Sequence, residues 1–159
     1  MVPAAQRSKR LQVLRDWYIA RANERILPRV AQHVRALGVE FESAKVVDNR
    51  NRWGSCTPRD TIHLNWRLIK APMFVIDYVM VHELAHLIES NHTSRFWNIV
   101  RAHTPTTEKA KAWLKEHGQV LEEELLGLQV WASCRSLLAC SCYTPDHVRL
   151  DNLSHFVGW

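Results

Sequence analysis

His82-Glu83-Leu84-Ala85-His86 is the stretch whose residue types and spacing can do chemistry. Two histidines at i and i+4 lie on one face of a helix, so both imidazoles can converge on one metal ion. Glu83, next to the first of them, can reach a water bound to that ion and accept its proton. Neutral imidazoles leave zinc most of its +2 charge, which lowers the pKa of bound water toward ~7. The hydroxide so formed attacks an electrophilic carbonyl or phosphoryl centre. Such a site needs a third ligand. His92 follows His86 by six residues, so the helix must end and the chain must turn back to present it. Ser90-Asn91 suits that turn, because asparagine tolerates the left-handed conformation. Glu89, three residues after His86, is the alternative ligand, and His92 is preferred. Three nitrogen ligands leave a fourth position for water, the arrangement of a catalytic zinc. The reading is one Zn2+ per chain on His82, His86 and His92, with Glu83 as the catalytic base.

Neighbouring residues carry two readings each. Tyr78 lies one turn before His82 and is read as a packed core tyrosine in preference to an oxyanion donor. Asp77 either orients a ligand imidazole or serves as a helix-start carboxylate. Asn65 and Arg67 sit where a strand enters the cleft, and Arg67 is either a substrate or phosphate contact or a surface cation. Cys56 is read as a small buried hydrophobe in preference to a thiolate ligand. Trp53, Trp66, Trp97 and Trp113 are assigned to the core. His33, His63, His103 and His117 lack metal spacing and stay unassigned.

The elements that must position these residues show in the periodicity. Leu11, Leu14 and Tyr18, then Ile26, Leu27, Val30, Val34 and Leu37, recur at three- and four-residue steps and predict a long N-terminal helix. Pro28 is expected to kink or restart it, and Gly38 to end it. Short β-like runs at 45–48, 52–56 and 61–65, separated by polar turn residues, predict a small antiparallel sheet. Pro72 stands where a helix would begin, and 73–89 reads as an apolar helix carrying the motif. Further helices are predicted over 94–103 and 107–117. The fold class is α+β.

Length and charge set the frame. The 159 residues suffice for one domain with a buried core. No run of 18 apolar residues could span a membrane. The first ten residues lack the apolar core of a signal peptide, which predicts a cytoplasmic product. The formal charge of +5 is uneven. Residues 1–70 hold 14 Lys and Arg against 6 Asp and Glu, whereas residues 71–126 hold 5 against 8. The basic front is either a solvated helix face or an attraction for anionic partners such as nucleic acid or nucleotide phosphate. Of four cysteines, Cys134, Cys140 and Cys142 crowd the end of the chain without a CxxC pair, so a zinc site there is disfavoured.

Arg52-Trp53-Gly54-Ser55-Cys56, Ile62 to Ile69, Ala71-Pro72, Ile76 to Val79, His82 to Leu87, Asn91-His92 and Phe96-Trp97 follow one another in an order that resembles the YgjP-like metal-dependent hydrolases. These are similar in turn to SprT-like and WLM zinc proteases. The resemblance runs from about residue 15 to 121. It implies a minimal zincin-like fold: an N-terminal helix, a small antiparallel sheet, a metal-binding active-site helix and C-terminal helices. It implies zinc on His82, His86 and His92 and the base at Glu83, in agreement with the spacing. It also implies that a strand beside the active-site helix, 52–56 or 61–65, cradles an extended peptide or protein substrate. A nucleotide pyrophosphatase activity has been ascribed to the same group, so a nucleotide substrate stands as the alternative. A third reading is a DNA-associated binding module with a vestigial metal site. Family members usually carry a longer N-terminal segment, and nothing after about residue 126 resembles them. Residues 1–126 are therefore read as the domain, short at its start, and 127–159 as an unassigned, divergent or frameshifted tail. Oligomeric state is left open.

Overall fold

A computed structural model describes the backbone of residues 4–50 and 52–133, and the side chains of 9–50 and 52–122. The elements are α1 (Ala4–Leu37), β1 (Ser43–Val47), β2 (Gly54–Cys56), β3 (Thr61–Asn65), a short 3-10 helix (Trp66–Lys70), α2 (Met73–Ala85), α3 (Ser94–His103) and α4 (Thr107–Ser133). The chain divides into two compact units, Met1–Glu122 and Glu123–Trp159. The readings of Cys134, Cys140, Cys142 and most of the tail fall outside the described residues. No helix among the described residues is long and apolar enough to cross a membrane.

α1 buries Ala22, Ile26 and Val30, one residue per turn on one face. Pro28 does not restart the helix, which runs through it as one element. Proline removes one backbone bond, but Ile26 and Val30 on either side are buried in the core and anchor the helix across it. Gly38 does end the helix, at φ +67°, and the amides of Gly38 and Val39 both donate to the Val34 carbonyl.

The sheet is mixed, not antiparallel as expected. Its strand order is β1-β3-β2, with β1 parallel to β3 and β2 antiparallel to it. The turn Thr57-Pro58-Arg59-Asp60 makes β2 and β3 a hairpin; Asp60 there takes φ 56° and donates its amide to the Thr57 carbonyl at 2.9 Å. β3 carries the fully buried Ile62 and Leu64, so it takes the centre and β2 is left on the edge. The Asn65 amide donates to the Trp53 carbonyl and the Thr57 amide to the Thr61 carbonyl. Antiparallel pairing alternates, so Gly54 and Cys56 turn their backbone groups away from β3 toward the outer edge, where Glu83 takes the Cys56 amide.

Beyond the sheet, Asn65 caps the 3-10 helix by accepting from the Arg67 amide at 3.0 Å, and its own amide group donates to the Asn49 and Arg52 carbonyls. Arg67 is neither a surface cation nor a cleft residue. It is 4% exposed, ion-paired with Asp48 at 2.6 Å and Glu122 at 3.4 Å, and stacked on Trp66. Removing it takes the ion-pair partner from Glu122, which burial already pushes above its ordinary pKa, while Asp48 keeps Arg15 and the Trp66 indole. Arg67→Ala should cost about 3 kcal/mol or more in urea unfolding. A change below about 1 kcal/mol would contradict this placement.

α2 ends four residues short of the expected 89. Its last turn tightens, with Leu87 donating to Leu84 and Ile88 to Ala85. α4 runs on past the expected end at His117. Gly118 is helical, and a Cβ there would stand 3.2 Å from the Trp53 indole, so the glycine serves close packing instead of termination.

Candidate metal centre

α2 is buried on almost every side, from Val75 through Ala85 with Asp77 as the part-exposed exception. Such a helix is held rigidly, and it carries His82 and Glu83, each 1% exposed. His86 lies one turn on, half-buried, with Nδ1 3.3 Å from the Glu89 carbonyl. That contact is the part Glu89 plays; its carboxylate is not in the cluster. The chain then reverses. Asn91 is not left-handed as expected: Asp60 is the one non-glycine residue with positive φ among the described residues. The tightened helix end makes the reversal, and Thr93 restarts the chain by capping α3 through the Phe96 amide.

This path returns His92 to the α2 face. Its Nε2 lies 3.1 Å from His82 Nε2, and one nitrogen each of His82, His86 and His92 fall within 4.8 Å of one another. Nitrogens gathered this closely can share one metal ion. The expected trio is thus brought together. Phe96, fully buried, packs its ring 4.8, 4.6 and 4.7 Å from those of His82, His86 and His92. Trp97 stacks on His92 at 5.8 Å, and Lys111 lies over the Trp97 ring. Tyr78 meets His82 edge-on at 5.9 Å as a core residue. Sequence reasoning does not single out either aromatic of α3 as support for the site; only their place in the family pattern marks them. Phe96→Ala removes the shared platform and should cost about 3–5 kcal/mol by chemical denaturation.

Electrostatics match the donor set. Burial, then the neighbouring His86 and His92, drives the His82 pKa down to about 2. Burial also lowers those of His86 and His92. All three are therefore neutral at pH 7, the form that binds metal. Glu83 is pushed up to about 8 by burial, against the pull of Arg52 and a hydrogen bond from the Cys56 amide. Its Oε1 is buried with no hydrogen-bond partner among the described residues. An orphaned carboxylate oxygen beside three neutral imidazoles suits a site completed by a cation and its water.

Other candidates settle elsewhere. Asp77 neither orients a ligand imidazole nor serves a helix start: it takes Arg29 at 2.8 Å and His33 at 3.1 Å, joining α2 to α1. Cys56 is half-buried with its thiol 3.7 Å from the Thr57 carbonyl, and burial and then Glu83 raise its pKa. Trp53 and Trp66 are core, as expected; Trp97 and Trp113 are part-exposed.

Comparison with curated proteins and with solved structures gave no match. A family model did match, over residues 1–117, and it spans all three histidines, Glu83 and the sheet beside them. The chain belongs to the YgjP-like family and carries its metallopeptidase domain.

Proposed function

We propose that this protein is a zinc-dependent peptidase in which His82, His86 and His92 hold the ion and Glu83 is the general base. The observation that carries the reading is the meeting of three neutral imidazoles, from α2, its C-cap and the loop before α3, with the buried Glu83 carboxyl of α2. Zinc bound there would act as a Lewis acid on the scissile carbonyl and acidify a water. Glu83 Oε1 takes the proton from the attacking water and delivers it to the leaving amine. The Cys56 amide holds the carboxylate in place meanwhile. β2 lies next to Glu83 and is an edge strand, whereas β3 is central and paired on both sides. Between the two strands considered for substrate, β2 is therefore the one with backbone groups outside the sheet's own pairing, of which Glu83 takes the Cys56 amide and the rest can pair with an extended peptide.

The nucleotide reading has one feature in its favour. Arg52 bears on Glu83 and Lys111 on His82, so two cations flank the site. Against the DNA-binding reading, three of the α1 cations are already ion-paired: Arg15 with Asp48, Arg21 with Glu24 and Arg29 with Asp77. Zinc-loaded protein should release peptides from casein and leave nucleoside triphosphates intact, with Glu83→Gln as the control. Triphosphate hydrolysis without casein cleavage would reverse the assignment. Salt-sensitive DNA binding unaffected by His82→Ala, with neither activity, would favour the third reading.

A further inference from the structure

Gly54 lies on the edge strand, opposite Leu64, and its backbone is not in the left-handed region. Conformation does not demand glycine there; space does. A Cβ at this position would stand 2.5 Å from Glu83 Oε1, 2.7 Å from its Cγ and 2.8 Å from its Cδ. Those distances are far inside van der Waals contact, and they involve the body of the side chain as well as its tip. Both residues are buried, so the carboxylate has no solvent to swing into. The same strand, two residues on, donates the Cys56 amide to Glu83.

We infer that Gly54 is the positioning residue for Glu83: the missing side chain forms the slot in which the carboxylate lies beside the histidine cluster. β2 then has two tasks, the outer edge of the sheet and the seat of the base. A methyl group at 54 must displace the Glu83 side chain, because its three nearest atoms all belong to Glu83 and none to His82, His86 or His92. Displacements of about 1 Å at a reacting group cost ~100-fold in rate. This inference rests on the proposed role of Glu83 as base.

Full-length Gly54→Ala, Glu83→Asp and the double variant test it. Gly54→Ala should retain one zinc per chain, keep KM for casein within ~3-fold and lose ~100-fold or more in kcat. Glu83→Asp, shorter by one methylene, should be less harmed by the alanine than wild type is, so the two losses should be less than multiplicative. A readout free of activity comes from metal-free protein. Gly54→Ala should lower Tm by about 3 °C or more in the wild-type background and by less than about 1 °C in Glu83→Ala. If Gly54→Ala fails to fold, Gly54→Ala/Glu83→Ala must fold. Equal Tm losses in both backgrounds, failure of both to fold, or a fully active Gly54→Ala would overturn the inference. Full activity of Glu83→Gln would instead overturn the role of Glu83 itself, and the Tm comparison would still stand on its own.

Discussion

Glu83→Gln is expected to bind zinc as wild type does and to lose hydrolysis by about 10³-fold or more. Gln keeps the size and one acceptor oxygen, so the three histidines and the Cys56 amide contact need not move. What it loses is the ability to take a proton, and general-base catalysis supplies ~10²–10⁴-fold. A second effect has the opposite sign. Burial holds the folded Glu83 pKa near 8, well above its ordinary value. Between about pH 4.5 and 8 the unfolded metal-free chain ionises Glu83 and the folded one does not. Stability contributed by this group is therefore full below about pH 4.5 and is lost as pH rises to 8, at roughly 1.4 kcal/mol per unit as an upper bound. Gln carries no such penalty. Metal-free Glu83→Gln should thus be more stable than metal-free wild type at pH 8, by a few kcal/mol in denaturant titrations. Loss of catalysis with gain of stability separates a functional carboxylate from a structural one. Equal stability at pH 8 would mean that Glu83 is not held in a desolvated slot.

His82→Ala is expected to lose both metal and activity. It removes the buried one of three donors, and a site reduced to His86 and the exposed His92 should bind zinc more weakly by well over ~100-fold, beyond what outer contacts cost. The metal-free protein should also change its acid response. The folded His82 pKa is about 2, so the folded state stays neutral while the unfolded chain takes up a proton below ~6.5. Stability from this group is full above ~6.5 and falls as pH is lowered, the reverse of the Glu83 effect. Thermal scans of metal-free wild type and His82→Ala between pH 7 and 5 should show the larger acid loss in wild type. An unchanged zinc affinity in His82→Ala would remove this histidine from the site.

The candidate site is legible in the sequence because its spacing is local. The i, i+4 geometry of His82 and His86 follows from helix pitch alone, and His92 needs only a reversal of a few residues. How that reversal happens is not legible: the chain tightens the helix end instead of using a left-handed Asn91. The sheet departs from expectation for a related reason. Strand order depends on which strand has the deepest apolar face, and Ile62 and Leu64 place β3 between β1 and β2. Long-range partners are the least readable. Arg67 reads as a surface cation until Asp48 and Glu122, far along the chain, close over it. Gly54 and Gly118 illustrate the same limit, since each glycine answers to a bulky side chain on another element, Glu83 or Trp53. A glycine inside a β-run does signal close approach of something, but not of what.

The most direct test of the central claim is the rate of peptide release from casein by wild type and Glu83→Gln at equal zinc content. The account predicts cleavage by wild type and a loss of about 10³-fold in the variant with one zinc per chain in both. Equal rates at equal zinc content would contradict it.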